Sequence, residues 1–322
     1  MMIVGIDIGY GYTKVCVTDG NSYQETVFPS LVSEYIPTEG FQSKPLNMVF
    51  VNGKPFVVGE DVKDTLIGPY RVDKTFLDKP EYYAIIGYIL QKIKSRVNVM
   101  VLGLPPSFYT KETVNAMKIK LQSQQMKRAD GTTILVPEVI EYVPQGAGIF
   151  FSHISNGNNG IITGDTAIID IGYYTVDATL YSNGKYISEA ARSYPFGVNV
   201  LIDRVKNEYS RVYKSFIADS IAEQIIRTGE FTHLGAKQTL DISHLVKDFL
   251  NTYLMRAIGE FANSIKGLGM KIDHLLLGGG GVFCLGSVSG AVIVKEPQMA
   301  NARGFCEFGK KTLSERLAGS NT

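Results

Sequence analysis

The sequence predicts an α/β protein of two similar domains facing one another, each a mixed sheet carrying a smaller inserted lobe. Three observations predict it. The pentapeptide Ile-Asp-Ile-Gly-Tyr occurs twice, at Ile6–Tyr10 and at Ile169–Tyr173. Each copy closes an apolar run, Met2–Ile8 or Thr166–Ile171, and leads into a β-branched segment, Thr13–Thr18 or Thr175–Leu180. Each then meets a dipeptide, Asp19-Gly20 or Asn183-Gly184, that supplies the positive φ angles of a tight turn between twisted strands. Both halves therefore read as strand, glycine turn, strand, turn, strand. A repeat this widely spaced is no solenoid period and points to a duplicated domain.

Taken in order, Met2–Phe28 reads as three strands, and Pro29–Pro80 as a mixed peripheral lobe. Within that lobe, strands at Asn47–Val51 and Pro55–Val58 flank the hairpin turn Asn52-Gly53. Ile85, Ile86, Ile89, Leu90 and Ile93 form an amphipathic stripe over Tyr82–Ile93, hence a helix. Val97–Gly103 is a buried strand ending in Gly103-Leu104-Pro105-Pro106, and Thr110 caps the next helix with Glu112 in its first turn. Strands follow at Thr132–Val136 and Val139–Val143. The loop-like run Asn156–Gly160 marks the domain boundary. We expect domain I over 1–158, with a lobe at about 30–95 and the tail 299–322 packed back on it. Domain II is expected over 159–298, with a lobe at about 210–266. In this half the three-strand start runs through Ser193, and Val198–Tyr209 and Ser215–Arg227 read as helices. Leu245, Phe249, Leu254, Ala257, Phe261 and Ile265 predict one long helix over Ile242–Ile265. Ile272–Leu277 is a buried strand running into four glycines, and Met299–Leu317 a closing helix.

Composition sets limits on function. The chain has 322 residues, 45% hydrophobic and 20% charged, an ordinary globular balance. A net charge of +1 offers no electrostatic footprint for nucleic acid or an anionic membrane. Cys16, Cys284 and Cys306 lack paired or metal-ligand spacing, which suits a reducing cytoplasm. We expect no leader and no membrane span, since the chain enters a strand at once and no apolar run is long enough. His153, His233, His244 and His274 stand apart, so no metal cluster or Ser-His-Asp set is expected. The eighteen tyrosines read as packing rather than a base-stacking platform.

Chemistry concentrates at the repeated turns. An acidic residue at a strand end, beside a glycine turn with open backbone N–H groups, suits a magnesium–phosphate ligand. Asp7 and Asp170 hold that position. Gly9, Tyr10, Gly11, Tyr12, Thr13 and Lys14 form the first candidate phosphate turn, with Lys14 as a point cation. Gly172, Tyr173, Tyr174 and Thr175 form the second. Asp177 either orients a water or the metal shell, or is a solvated edge carboxylate. Gly278, Gly279, Gly280 and Gly281 follow a core strand, where bare backbone against a flat ligand such as adenine fits better than a linker. Neither a Walker motif nor the dinucleotide fingerprint occurs. Gln145, in Pro144-Gln145-Gly146-Ala147-Gly148, sits where a strand passes into a helix and could orient a water for in-line attack on phosphate. A plain polar helix-start residue is the competing reading. Glu141 either shares this role or faces solvent.

These pieces in this order resemble the actin-like ATPase superfamily, which also includes sugar kinases and the large heat-shock chaperones. Ile6–Val15 and Ile169–Ala178 look like its two phosphate loops, Val139–Gly148 and Ala300–Gly304 like its connecting segments, and Leu275–Val282 like its adenosine loop. Gly103-Leu104-Pro105, Pro144-Gln145-Gly146 and Asn301-Ala302-Arg303-Gly304-Phe305 look most like the plasmid-segregation actins of the ParM type and the short archaeal actins. The resemblance implies two ribonuclease-H-like domains with ATP or ADP and magnesium in the cleft. It implies ATP hydrolysis coupled to filament formation, in plasmid segregation or as a cytoskeletal element. The partners it implies are further copies of the chain and a DNA-bound adaptor protein. Carried over by position, Asp7 and Asp170 face magnesium through water, and the two turns hold phosphates. Gln145 positions the attacking water, and Gly278–Gly281 packs on the adenosine. The chain departs from the pattern at Tyr173-Tyr174, where small residues are usual. The alternatives are a small-molecule kinase or activating ATPase of the same superfamily, and a scaffold that binds ATP without useful turnover. No aspartate lies in Glu141–Gly148 to serve a kinase as base.

Overall fold

The apolar runs that head the two repeats become the central strands of two sheets. The computed structural model describes residues 1–36, 47–64, 70–71, 76–285 and 288–319. Parts of the expected Pro29–Pro80 lobe and the end of the tail therefore lie outside the described residues. Contacts divide the chain into two units, Met1–Ser152 with Asn301–Thr322, and His153–Ala300.

In the first unit, β1 (Met2–Ile8), β2 (Tyr12–Thr18) and β3 (Tyr23–Pro29) form an antiparallel meander, as expected. A second sheet joins β4 (Leu31–Glu34), β5 (Met48–Val51), β6 (Lys54–Val58) and β7 (Tyr70–Arg71). The β5–β6 hairpin turns at Asn52 and Gly53, both with positive φ as their sequence requires. Helix α1 (Pro80–Lys92) buries Tyr82, Tyr83, Ile85, Ile86 and Ile89. These residues join Val4 and Ile6 of the first sheet to Val49 and Phe56 of the second in one core. Each such side chain, fully buried, contributes about 1.5–3 kcal/mol. Then come β8 (Val97–Leu104), α2 (Lys111–Gln122), β9 (Met126–Arg128), β10 (Val139–Pro144) and α3 (Ala147–Ser155). Thr110 caps α2, accepting from Thr113 N–H at 3.2 Å. The sheet order is β10-β8-β1-β2-β3, with β8 and β10 parallel to β1.

The expected strand Thr132–Val136 is not one. Asp130 and Gly131 turn the chain so that Arg128 N–H meets Thr132 O and Ile134 N–H meets Met126 O. A single bridge, Lys127 to Thr133, results, and β9 pairs with β5 instead.

In the second unit, β11 (Asp165–Ile171) pairs antiparallel with β12 (Val176–Ser182). The expected third strand is split into β13 (Lys185–Tyr186) and β14 (Arg192–Tyr194), both on β12. A helical lobe follows: α4 (Val198–Tyr213), α5 (Asp219–Thr228), the hairpin β15 (Glu230–His233) and β16 (Ala236–Thr239), and α6 (Ser243–Phe249). After α7 (Met255–Lys266) come β17 (His274–Gly278) and β18 (Val292–Ile293), both parallel to β11. The long helix α8 (Ala300–Gly319) closes the chain.

The predicted single helix Ile242–Ile265 is continuous but contains a π-helical turn at Leu250–Leu254. Its apolar stripe steps by five between Phe249 and Leu254, where a regular helix steps by three or four. Phe249 belongs to the lobe core with Leu201, Val205 and Ile225, whereas Leu254 and Phe261 join Ile169 and Leu180 in the sheet core. The extra residue rotates the stripe from one core to the other.

Candidate functional site

In the first unit, the β1–β2 register places Lys14 directly across from Asp7. Their side chains meet, with Lys14 Nζ 3.1 Å from Asp7 Oδ2. Asp7 is 4% exposed, so the lysine offsets the cost of taking that carboxylate from water. The Gln145 Nε2 amide donates to Asp7 Oδ1 at 3.2 Å. Sequence alone left Gln145 between two roles; the fold brings it to Asp7 from 138 residues away. These groups stand at the carboxyl ends of three parallel strands, β1, β8 and β10. Ligands of α/β sheets collect at such edges.

Gln145 is held from behind. Gly146 has φ +93°, and its N–H donates to Asn301 Oδ1 of α8 at 3.1 Å. Below it, α3 and α8 cross backbone on backbone: a Cβ on Gly304 would lie 2.5 Å from the carbonyl carbon of Gly148 and 2.7 Å from its Cα. The small residues at 146–148 let α3 start directly against a neighbouring backbone, that of the Asn301–Phe305 stretch.

The turn between β1 and β2 is closed by Gly9 N–H to Tyr12 O at 3.2 Å. The hydroxyl of Thr13 is buried and shared with Ser30 Oγ at 2.8 Å. Ser30 in turn donates its hydroxyl to Gly9 O at 2.6 Å and its N–H to Gly11 O at 3.0 Å. Tyr10 packs on the core of the unit. Glu141 is not brought to this group. It pairs with Lys118 at 2.7 Å, and four residues of extended strand, about 13 Å, separate it from Gln145.

The second turn repeats the first. Gly172 N–H donates to Thr175 O at 2.9 Å, and Asp170 faces Asp177 across the strands. Position for position, Asp7, Gly9, Tyr12 and Lys14 answer to Asp170, Gly172, Thr175 and Asp177. A cation at one turn is therefore replaced by a carboxylate at the other. Asp177 is 4% exposed and accepts the hydroxyls of Thr175, at 3.1 Å, and of Ser193. Its burial removes the solvated-edge reading. Tyr173 and Tyr174 meet edge to face at 4.8 Å, and the Tyr173 hydroxyl donates to Asp219 at 2.9 Å.

Asp170, 8% exposed, lies beside Gly278 in the parallel register of β11 and β17. The glycines that follow have distinct tasks. Gly279 has φ +87°, and a Cβ there would strike the Asp170 carboxylate and the Ile171 backbone. On Gly281 it would strike Val198 Cγ2, 2.6 Å away, but on Gly280 the nearest atom is 3.8 Å away. Next to them, the Arg227 guanidinium of α5 lies 5.1 Å from the Phe283 ring centre. Burial pushes the neighbouring Cys284 thiol up to about 11. No motif pointed to Ser30, Ser193 or Asp219; each acts through partners distant in sequence.

Two family models match in tandem: the actin-like proteins N-terminal domain over residues 5–148, and the archaeal actin homologue MreB-like C-terminal domain over residues 168–288. The chain belongs to the actin-like superfamily. The first match ends at the Gly148 crossing and the second takes in Asp170 through Gly281. In fold this actin-like chain is similar to the archaeal actin homologue Ta0583. That likeness has 20% identity and a TM-score of 0.76 over 97% of this chain and 100% of the other. The same protein in complex with ADP matches at 20% identity and TM-score 0.74, over 97% and 100%. A 15-stranded ParM filament from Clostridium botulinum matches at 19% identity and TM-score 0.71, over 96% and 99%. No curated protein matches the chain in sequence. Among the described residues no helix is long and apolar enough to cross a membrane.

Proposed function

We propose that this actin-like protein binds ATP with magnesium, hydrolyses it slowly, and assembles into filaments in a nucleotide-dependent way. The observation that carries the reading is the doubled turn: a buried strand-end aspartate followed by a glycine turn in each unit, with Gln145 hydrogen-bonded to the first aspartate. A relative of the same fold is known in complex with ADP and another as a filament, which supports both halves of the proposal.

The residues fit the ion this chemistry requires. Among the described residues no group of three or more His, Cys, Asp or Glu could enclose a bare metal. Single carboxylates such as Asp7 and Asp170 instead suit magnesium, which keeps several of its waters and takes further oxygens from phosphate. When bound, the ion neutralises phosphate charge. The chain's part is positional. The N–H groups of Gly9 and Gly172 close the two turns, and the backbone N–H groups that follow them, within 10–13 and 173–175, hold phosphate oxygens. Lys14, already against Asp7, adds a positive charge at the first turn. Gln145 spends its amide N–H₂ on Asp7 and presents its carbonyl oxygen to a water, aligning that water for in-line attack. Gly280, the glycine with room above it, offers bare backbone to the base, and Arg227 with Phe283 forms the adjoining wall.

Self-assembly is proposed as a head-to-tail contact, which gives open filaments when its rotation does not close a ring. Plasmid or DNA segregation through a DNA-bound adaptor, or a cytoskeletal role in the cytoplasm, is the setting we propose. Titration calorimetry of ATP with excess magnesium, followed by sedimentation with and without nucleotide, tests the reading. Gln145→Ala should keep its ATP affinity, hydrolyse at least about tenfold more slowly, and form filaments that disassemble late. Absence of ATP binding would sink the proposal. A persistent monomer whose turnover is stimulated by a small hydroxylated substrate would favour a kinase.

A further inference from the structure

In the second unit the glycine turn is joined to the helical lobe at three points. Val198 N–H, at the start of α4, donates to Gly172 O at 3.1 Å, and Asn199 N–H donates to Tyr173 O at 2.9 Å. The third point is made by side chains. Tyr173 Oη donates to Asp219 Oδ2 at 2.9 Å. Asp219 opens α5, and its other oxygen accepts from Lys206 Nζ of α4 at 2.8 Å. The Tyr173 ring packs on the lobe core of Leu201, Val205 and Phe249 rather than on the sheet core. Those two cores are separate, with residues such as Val198 and Leu285 at the rim of both. Hydrogen bonds therefore carry much of the registration between turn and lobe.

We infer that Asp219 is a positioning residue: braced by Lys206, it holds Tyr173 and so couples phosphate occupancy at the second turn to the inclination of the α4–α5 lobe. The inference rests on the nucleotide reading above and deepens it. Asp219 lies outside the turn and acts through Tyr173. A hydrogen bond to a carboxylate is stronger than one between neutral groups and is directional. A tilt of α5 therefore pulls the Tyr173 side chain, and an ordered turn holds α5 in place. Coupling of this kind is reciprocal: whatever the lobe does to phosphate affinity, phosphate does to the lobe. The first unit builds its own version with Ser30, which grips the carbonyls of Gly9 and Gly11 at the point where β3 passes into β4. There one small hydroxyl suffices, because sheet and lobe share one core. In the second unit the separate lobe needs a longer arm.

The test uses the full chain with ATP and magnesium. Asp219→Ala and Tyr173→Phe should each weaken ATP binding about fivefold, and the double variant should lose no more than either alone. Asp219→Asn keeps an acceptor for the phenol and should recover most of the loss. Tyr173→Phe removes one oxygen and keeps the packed ring, so the test stands even if Asp219→Ala folds poorly. Hydrogen exchange supplies a readout that a purely structural role would not move. In the wild-type chain, ATP should slow exchange of the α5 amides from Ala222 to Ile226. In Asp219→Ala and in Tyr173→Phe that nucleotide-induced slowing should vanish, while exchange without nucleotide stays near wild type. Losses that multiply in the double variant, or undiminished slowing in both single variants, overturn the tie. A wild-type chain that binds no ATP overturns the nucleotide reading on which the tie rests.

Discussion

Gly304→Ala is a prediction whose sign separates local propensity from tertiary packing. Gly304 lies inside α8, where alanine is intrinsically better than glycine by about 1 kcal/mol. On propensity alone the variant should be more stable. The new Cβ would, however, sit 2.5 Å and 2.7 Å from backbone carbons of Gly148, where carbon atoms prefer roughly 3.5–4.0 Å. Backbone cannot rotate aside as a side chain can, so α3 and α8 must part by about 1 Å. Overpacking of this kind costs about 1–3 kcal/mol, occasionally more. Parting the helices also stretches the 3.1 Å bond from Gly146 N–H to Asn301 Oδ1, worth about 1 kcal/mol. The net expectation is destabilisation by about 2 kcal/mol, a fall in Tm of roughly 4–8 °C for a unit of this size. Urea unfolding and calorimetry of the full chain would measure it. Because Gly146 follows Gln145, the variant should also slow ATP hydrolysis more than it weakens ATP binding. A Gly304→Ala chain as stable as wild type or more so would refute the close crossing. Normal hydrolysis in a destabilised chain would refute the link from that crossing to Gln145.

Lys14→Met leaves Asp7 buried without its cation and should cost about 3 kcal/mol, whereas Asp7→Asn with Lys14→Met should restore most of that stability without restoring ATP affinity; urea midpoints and titration calorimetry of both variants decide it. Gly279→Ala and Gly281→Ala should destabilise the second unit by about 2 kcal/mol or more. Gly280→Ala, with its nearest neighbour at 3.8 Å, should melt like wild type while losing ATP affinity. Similar melting temperatures for all three glycine variants would show that the glycines are not divided in this way.

Much of the candidate site was legible in the chain because its signals are local. A strand-end aspartate, the glycine after it and a hairpin dipeptide lie within a few residues, and backbone geometry constrains them there. Asn52-Gly53 and Asn183-Gly184 take the positive φ angles their identities require. Thr110 caps α2 as a residue of its type before a helix should. Errors arose where longer-range pairing intervened. Thr132–Val136 has strand composition, yet a sharp turn at Asp130-Gly131 leaves it one bridge. The long helix hid a π-turn, although the five-residue step from Phe249 to Leu254 marks it. Asp177 read equally well as a group orienting water or the metal shell and as a solvated edge carboxylate, because its burial depends on Ser193 and Thr175 closing over it.

By itself the sequence determined a duplicated α/β architecture, the two glycine turns and the aspartate that precedes each. Repetition, periodicity and turn chemistry are properties of neighbouring residues, and the backbone reads them directly. Only the tertiary structure decided which side chains complete the turns: Lys14 and Gln145 on Asp7, a carboxylate at the position matching Lys14, Ser30 gripping one turn, and Asp219 gripping Tyr173 in the other. It also decided that Glu141 goes to Lys118 and that Gly280 alone among Gly279–Gly281 has room above it. The physical reason is that a side chain's partner is set by strand register and helix crossing. Both depend on the whole core closing, so residues far apart in the chain acquire their chemistry only together.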